Sequence, residues 1–242
     1  MAIANLIKNK LSLLNFAEGL YGLNYKSLWN RPMYNMNNVF LQLKDKYKKI
    51  PLNRQTIINL FKEEKYYDAF LCAMIWGGIG SNVTGKEIFN SVFSEDNQAS
   101  ICEKIERVVQ IIKDESKEPE DRIQIAYLSL ADKDKNGIEG IGESFYTKIL
   151  YFAGAGIESL TLKPLIYDRN MRDAYKLLMN RLNLPEIKEP LEQYIDYCRK
   201  MEELRDLLNF LSSDQVEALL FQPVIRRVFF DEGVQNNVES LN

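Results

Sequence analysis

Apolar residues recur at a helical spacing of about 3.6 in almost every periodic segment of this 242-residue chain, and the alternation expected of strands is scarce. The spacing predicts helices over 98–113, 119–131, 189–211 and 214–221, and a strongly apolar helix over 67–76. The chain contains no internal repeat and no Rossmann or Walker glycine pattern. These observations together predict an all-α fold.

The composition is typical of a folded globular protein, with 46% hydrophobic and 27% charged residues. No apolar run approaches the roughly 18 residues that a membrane span requires. The first residues lack the basic region, long apolar core and cleavage site of a signal peptide. We therefore expect a cytoplasmic protein with no membrane partner.

The chain has no histidine, and its three cysteines, Cys72, Cys102 and Cys198, are widely spaced. The missing imidazole excludes Ser–His and Cys–His nucleophiles, histidine-ligated zinc and imidazole acid–base catalysis. Three cysteines are also too few for a four-thiolate iron–sulfur cluster, and their number argues against a disulfide framework. The remaining possibilities are chemistry that uses lysine, carboxylates or tyrosines, or a cofactor that is not among those excluded. We predict no metal and no cofactor.

The segment Gly140-Ile141-Gly142 leads directly into a predicted helix. Its two glycines permit positive φ angles and leave no Cβ atom in the way of an approaching backbone. The amides of Ile141, Gly142 and Glu143 are predicted to point outward at the positive end of the helix dipole, where a phosphate can bind. This pattern is the minimal hairpin of a helix-hairpin-helix, and an ordinary tight connection between helices is the alternative.

Lys148 lies on the helix that follows this turn. On a helical wheel of roughly 100° per residue, it falls at the edge of an apolar face. That face contains Phe145, Tyr146, Ile149, Leu150, Phe152 and Ala153. Desolvation at such a boundary would lower the pKa of the amine and leave it nucleophilic near neutral pH. The alternative is a lysine that snorkels into water at the rim of an amphipathic helix.

Asp168 follows the short extended segment 164–167 and precedes a predicted helix that begins at Arg169. This position makes Asp168 a candidate N-cap. A cap position keeps a carboxylate ionised and fixed in direction, which is what the stabilisation of a developing positive charge requires. Helix capping without any further role is the alternative.

The similarity of this chain to a known family rests on Gly140-Ile141-Gly142 and on the segments 147–154, 164–168 and 213–221. Together these segments resemble the helix-hairpin-helix DNA glycosylases, and in particular the bacterial proteins similar to 8-oxoguanine DNA glycosylase. Outside residues 138–175 and the C-terminal segment, the resemblance extends only to the all-helical character.

The resemblance implies that Lys148 is a Schiff-base nucleophile and that Asp168 is its helper carboxylate. In the better-known eukaryotic members the lysine follows the second hairpin glycine by two residues, where this chain has Ser144. Family members also tend to have a small residue in place of Tyr146. A separation of twenty residues from lysine to aspartate fits the family. The assignment therefore goes to Lys148, because Ser144 is twenty-four residues from Asp168.

The family layout implies two helical lobes with a central cleft. A barrel lobe over 54–163 would end in the hairpin, and residues 1–53 together with 164–242 would form the second lobe. Lys148 and Asp168 would then face one another across the cleft. The implied partner is double-stranded DNA with a damaged or modified base, bound by a monomer.

Other DNA contacts follow from the same resemblance. The hairpin residues and Arg169 would bind the DNA backbone, and Trp76 would stack on the extruded base. Ser81 and Asn82 would fill the gap that the base leaves in the duplex. The alternatives are a solvated arginine, a core tryptophan and a plain loop.

Charge is unevenly distributed along the chain. Residues 1–70 hold eleven Lys or Arg against five Asp or Glu, whereas the remaining residues hold 20 against 29. Glu139 and Glu143 flank the hairpin and would oppose a phosphate. Six lysines of the basic part are candidates for phosphate contacts, with a solvated helix face as the alternative: Lys44, Lys46, Lys48, Lys49, Lys62 and Lys65.

We predict a DNA glycosylase with associated lyase activity that excises a damaged or modified base, with 8-oxoguanine favoured, through a lysine Schiff base. One alternative is a non-catalytic DNA-binding helix-hairpin-helix protein, and another is a glycosylase that acts on a modified phage base. A helical scaffold protein is a further alternative, favoured by the acidic sequence pI of 5.3.

Overall fold

The computed structural model describes residue 29 and residues 37–79, 89–90, 92–131, 137–208 and 212–221. Regular structure within these ranges is helical throughout, so the all-α fold is confirmed. The described α-helices are α1 (Asn38–Tyr47), α2 (Arg54–Lys62), α3 (Tyr66–Trp76), α4 (Gln98–Lys113), α5 (Pro119–Ala131), α6 (Glu143–Gly154), α7 (Arg169–Arg181), α8 (Pro190–Leu208) and α9 (Ser213–Phe221). None of them is both long and apolar enough to cross a membrane.

The described residues divide into two compact units, one within Tyr21–Pro164 and one within Leu165–Asn242. Helices α1 to α6 belong to the first unit, and α7 to α9 belong to the second. The sequence-based division into a lobe over 54–163 and a second lobe of 1–53 plus 164–242 stays a prediction.

Helix α6 is central to the first unit, where it contacts α2, α3, α4 and α5. Its residues from Tyr146 to Gly154 are all buried. Helix α3 is similarly apolar, and residues 69–75 are buried without a break. Both helices bury more than one face, as expected of helices that are apolar nearly all round. Lys148 therefore lies on an element enclosed by the core, and not at the edge of an amphipathic face as the helical wheel predicted.

Amphipathic helices with capped N-termini complete this unit. Helices α1 and α2 begin after asparagine N-caps, in which Asn37 accepts the amide of Phe40 and Asn53 that of Thr56, each at 2.9 Å. Such a cap typically stabilises a helix by about 1 kcal/mol. The buried residues of α4 follow the helical period: Ile101, Ile105, Val108, Val109 and Ile112.

The second unit has a core of tyrosines. Helix α9 packs on α7 and α8, and four tyrosines of this unit are fully buried: Tyr167, Tyr175, Tyr194 and Tyr197. The ring centroid of Tyr167 lies 4.7 Å from that of Tyr197 and 5.9 Å from that of Tyr194. Buried phenols require hydrogen-bond partners, so this core carries polar atoms close to the start of α7.

Candidate active site

The turn before α6 is closed by a hydrogen bond from the amide of Ile141 to the carbonyl of Ile138, at 3.1 Å. Gly140 has φ of 77°, in the left-handed region that favours glycine. The prediction of a glycine-dependent turn is confirmed at this residue. The prediction that the Ile141 amide points outward is wrong, because the turn itself uses that amide.

Gly142 is the N-cap of α6 and has φ of −94°, a backbone conformation open to any residue. The positive φ that a glycine permits is therefore not used at Gly142, because the N-cap of a helix has extended backbone. A Cβ atom at Gly142 would meet no other atom within 4 Å, and the residue is exposed. Neither backbone conformation nor internal packing requires glycine here, and the space beside it is open to an approaching molecule.

Glu143, the first residue of α6, has its carboxylate engaged by a neighbouring helix. The hydroxyl of Tyr127 donates to Oε1 of Glu143 at 2.5 Å, and the Tyr127 ring meets that of Tyr146 edge-on, with centroids 5.1 Å apart. Burial, followed by the hydrogen bond to Glu143, raises the pKa of Tyr127. The phenol therefore stays protonated and holds the carboxylate that the sequence suggested would oppose a phosphate.

Lys148 is buried, with only 4% of its surface exposed. Its Nζ donates to the carbonyl oxygen of Ser144, one helical turn earlier, at 2.7 Å. The amine also lies 5.5 Å from the centroid of the Phe145 ring. The alternative of a snorkelling lysine is wrong, because the side chain does not extend into bulk water.

The stem of Lys148 lies against Gly77, which directly follows α3. A Cβ atom added to Gly77 would sit 2.9 Å from Cδ of the lysine, closer than real Cβ atoms come, and 3.0 Å from Cε, which is a tight contact. Sequence reasoning missed this contact, because it joins residues that are far apart in the chain. The signal in the sequence was the second glycine, since one is enough to end a helix.

An arginine between two aromatic rings lies in the same unit. The Arg54 guanidinium is 4.8 Å from the ring centroid of Tyr151 and 5.6 Å from that of Trp76, and its Nη1 donates to the Tyr151 hydroxyl at 3.2 Å. Trp76 is half-buried and meets the ring of Phe152 edge-on, with centroids 5.6 Å apart. Trp76 thus belongs partly to the core. Sequence reasoning did not identify Arg54 or Tyr151.

Asp168 is confirmed as the N-cap of α7. Its Oδ1 accepts the backbone amides of Asn170 and Met171, at 3.0 and 3.3 Å. The residue is half-buried, and Arg169 beside it is exposed. The two amides hold one carboxylate oxygen in place, which fixes the direction of the anion.

Three buried side chains hold the backbone that precedes Asp168. The hydroxyls of Tyr194 and Tyr197 donate to the carbonyls of Leu165 and Ile166, each at 3.0 Å, and the amide of Ile166 donates to Oε2 of Glu217 at 3.1 Å. We call Tyr194, Tyr197 and Glu217 the backbone clamp. Burial raises the pKa of both clamp tyrosines well above the ordinary value, so both phenols remain donors.

The clamp was not predicted from the sequence, although Glu217 belongs to the C-terminal segment that resembles the glycosylases. Glu217 has no exposed surface. A glutamate in an apolar helix is a sign of a buried hydrogen-bonding role, since glutamate is almost never fully buried without partners.

Ser81 and Asn82, predicted to fill the gap in the duplex, lie outside the described residues. Several of the candidate lysines are engaged in ion pairs. Lys46 pairs with Asp68, and Lys48 and Lys65 pair with Asp45 and Glu63, each at 2.6 Å. Within the described ranges, no group of three or more acidic or cysteine side chains is placed to hold a metal ion.

Comparison with known families adds to this geometry. Residues 25–221 match the family model described as "Putative 8-oxoguanine DNA glycosylase OGG-like protein". The match spans more than half of the chain and contains the hairpin, Lys148 and Asp168. No curated protein and no solved structure matches the chain. On the strength of the family match, the chain belongs to the family of OGG-like DNA glycosylases.

Proposed function

We propose that this protein is a bifunctional DNA glycosylase and abasic-site lyase, with Lys148 as its nucleophile and 8-oxoguanine as the favoured base. The observation that carries the proposal is the buried amine of Lys148 on the helix that follows the Gly140–Gly142 hairpin, in a chain of the OGG-like family. No metal or cofactor has a part in the chemistry proposed.

Burial suits Lys148 to this part. The side chain has only 4% of its surface exposed, so bulk water does not surround the amine. Only the neutral amine has the lone pair that a nucleophile needs. The hydrogen bond from Nζ to the carbonyl oxygen of Ser144, at 2.7 Å, holds the amine in a fixed position against its own helix. A solvated surface lysine has neither property.

The proposed reaction has three steps: attack with loss of the base, opening of the sugar ring, and elimination. The lone pair of Nζ forms a bond to C1′ of the deoxyribose, the bond from C1′ to the base breaks, and the base leaves with the electron pair and takes up a proton. The bond from C1′ to O4′ then breaks, one proton passes from Nζ to O4′, and the opened sugar carries a protonated imine between C1′ and Nζ. Loss of a proton from C2′ then breaks the bond from C3′ to its oxygen, so the strand is cut and the 3′ phosphate departs.

Asp168 is proposed to act on the same sugar as an anion. Its carboxylate stabilises the positive charge that develops at C1′ as the base departs, and it assists removal of a proton from the lysine. The two amides that hold Oδ1 support this part, because a fixed anion needs no reorganisation when charge develops.

DNA is proposed to bind through its backbone, at the exposed Gly140 and Gly142 and at the exposed Arg169. The open space beside Gly142 supports a close approach of a phosphate to the N-terminus of α6. The target nucleotide is flipped out of the duplex before reaction. Trp76 is the candidate for stacking on the base, since it is half-buried.

Borohydride trapping tests the nucleophile. Reduction of the imine joins the protein covalently to a duplex that carries one 8-oxoguanine opposite cytosine. We expect Lys148→Gln to abolish both the adduct and base release. Lys163→Gln is the matched control, because Lys163 also donates to a backbone carbonyl of its own unit, that of Ile157 at 2.6 Å. We expect this control to form the adduct at the wild-type rate.

An undiminished adduct in Lys148→Gln would overturn the assignment of the nucleophile. The wild-type protein could also bind the duplex but form no adduct, on 8-oxoguanine and on a panel of other modified bases. That result would identify a non-catalytic DNA-binding protein. If the adduct forms only with a modified base found in phage DNA, that base is the substrate and 8-oxoguanine is not.

A further inference from the structure

Two consecutive glycines follow α3, and only one of them is needed to end the helix. Gly78 has φ of 80°, and the amides of Gly78 and Ile79 donate to the carbonyls of Ile75 and Met74, each at 3.0 Å. These bonds form a Schellman motif, in which the left-handed residue is usually glycine. Gly77, at the C-cap before it, has φ of −71°, which every residue adopts. Its lack of a side chain therefore has another cause.

That cause is the stem of Lys148. A methyl group at Gly77 would lie 2.9 Å from Cδ and 3.0 Å from Cε of the lysine, and the next nearest atom is the Ala73 carbonyl oxygen at 3.2 Å. The two close atoms belong to a flexible side chain, and the third belongs to a helix backbone. Of these neighbours, the lysine stem is therefore the one that moves when a side chain is added.

We propose that Gly77 is a positioning residue for the nucleophile: the absence of a side chain at Gly77 lets the stem of Lys148 lie across the end of α3 and so sets where Nζ is held. The proposal rests on the proposed function, because it assumes that the position of this amine matters for a reaction. Gly77 itself touches neither DNA nor the reacting atoms.

Gly77→Ala is expected to slow the reaction without weakening DNA binding. Displacing a reacting atom by about 1 Å can cost about 100-fold in rate, and the crowding falls directly on the two methylene groups that lead to Nζ. We expect the single-turnover rate of adduct formation on the 8-oxoguanine duplex to fall by about 100-fold, with an unchanged dissociation constant for the same duplex. Gly78→Ala is the control, because it strains the same helix end without a reason to displace the lysine.

A thermal unfolding cycle tests the contact without any reaction. Alanine at φ of −71° should stabilise the chain relative to glycine, so in a Lys148→Ala background we expect Gly77→Ala to raise the Tm by about 2 °C. In the chain that keeps Lys148, we expect the same substitution to lower the Tm. The contact with the Ala73 carbonyl is common to both backgrounds and cancels in the comparison.

Lys148→Met adds a background that keeps the bulk of the stem but has no charge. In the Lys148→Met background, Gly77→Ala should lower the Tm as it does in the chain that keeps Lys148. That result would show that the two residues interact through packing and not through charge. The same Tm shift in all three backgrounds would overturn the contact. A Gly77→Ala protein that traps at the wild-type rate would overturn its positioning part. If the wild-type protein forms no adduct on any base, the proposed function fails, while the unfolding cycle still decides the contact.

Discussion

Lys148 and Asp168, the two residues given the proposed chemistry, are held in place by different forces. In the first unit, Lys148 is enclosed by packing: it is 4% exposed, its stem lies on Gly77, and its amine is bonded to a carbonyl of its own helix. In the second unit, Asp168 is half-buried and is held by hydrogen bonds. Two amides hold the carboxylate, and the backbone clamp holds the chain behind it.

Packing and hydrogen bonding respond differently to substitution. A crowded side chain can shift by a fraction of an ångström while its helix stays folded. A buried polar group that loses its partner costs about 1–3 kcal/mol of the free energy of unfolding. We therefore expect substitutions next to Lys148 to change the reaction rate more than stability. We expect substitutions around Asp168 to change both the reaction rate and the stability.

The largest expected effect is at Asp168 itself, where charge and capping can be separated. Asp168→Asn keeps an oxygen that can cap α7 but removes the negative charge, whereas Asp168→Ala removes both. We expect either variant to lose about 100-fold in the single-turnover rate of base release, within the range of groups that assist proton transfer. Only Asp168→Ala should also lose stability, by about 1 kcal/mol.

Single-turnover base release and urea unfolding of both variants measure these two losses. If Asp168→Asn releases the base as fast as the wild-type protein, Asp168 is a structural cap and the charge has no part in the reaction. If Asp168→Asn loses as much stability as Asp168→Ala, the asparagine does not cap α7, and the two contributions stay mixed.

The next effect tests the backbone clamp through Glu217. Glu217→Ala leaves the buried amide of Ile166 without its acceptor and opens a cavity, so we expect the free energy of unfolding to fall by about 2 kcal/mol. Glu217→Gln keeps an oxygen that accepts from the same amide, and its loss should be less than half as large. Urea unfolding at neutral pH measures both values.

The clamp is also expected to affect catalysis through Asp168. Glu217→Gln should restore most of the base-release rate that Glu217→Ala loses, because it restores the bond to Ile166 and not the charge. Equal losses of rate in the two variants would show that the carboxylate charge matters, and the account of the clamp as a holder of backbone would then be wrong.

Features set by local sequence were predictable. The helical period gave α4 and α5 with their observed bounds, 98–113 and 119–131. The N-cap at Asp168 was also correct, because a cap is decided by a residue and the amides that immediately follow it. The left-handed conformation of Gly140 belongs to the same class, since one turn determines it.

Features set by tertiary packing were not predictable from one helix at a time. A helical wheel placed Lys148 at an edge, but four other helices enclose α6, so the edge is inside the core. The contact of Lys148 with Gly77 joins residues 71 positions apart, and the bond from Ile166 to Glu217 joins residues 51 apart. No local pattern records either pair. The φ of Gly142 was also open, because a glycine in a turn permits a positive φ without requiring one.

The smallest expected effect on stability is at Gly142, the one glycine of the described α6 hairpin with open space beside it and an unstrained φ of −94°. Gly142→Ala fills no occupied space and restricts the unfolded chain, which stabilises the fold, but alanine is a poorer N-cap than glycine. The two effects oppose each other, so we expect the free energy of unfolding to change by less than about 0.5 kcal/mol. If a DNA phosphate approaches this N-terminus, the added methyl group must still weaken binding, and gel retardation of the 8-oxoguanine duplex should show a larger dissociation constant. Gly77→Ala is expected to give a different pair of results, lower stability with unchanged affinity, because the space beside Gly77 is filled from within the protein. Unchanged affinity in a folded Gly142→Ala protein would mean that the DNA backbone does not come close to this glycine, and the hairpin would then be an ordinary connection between helices.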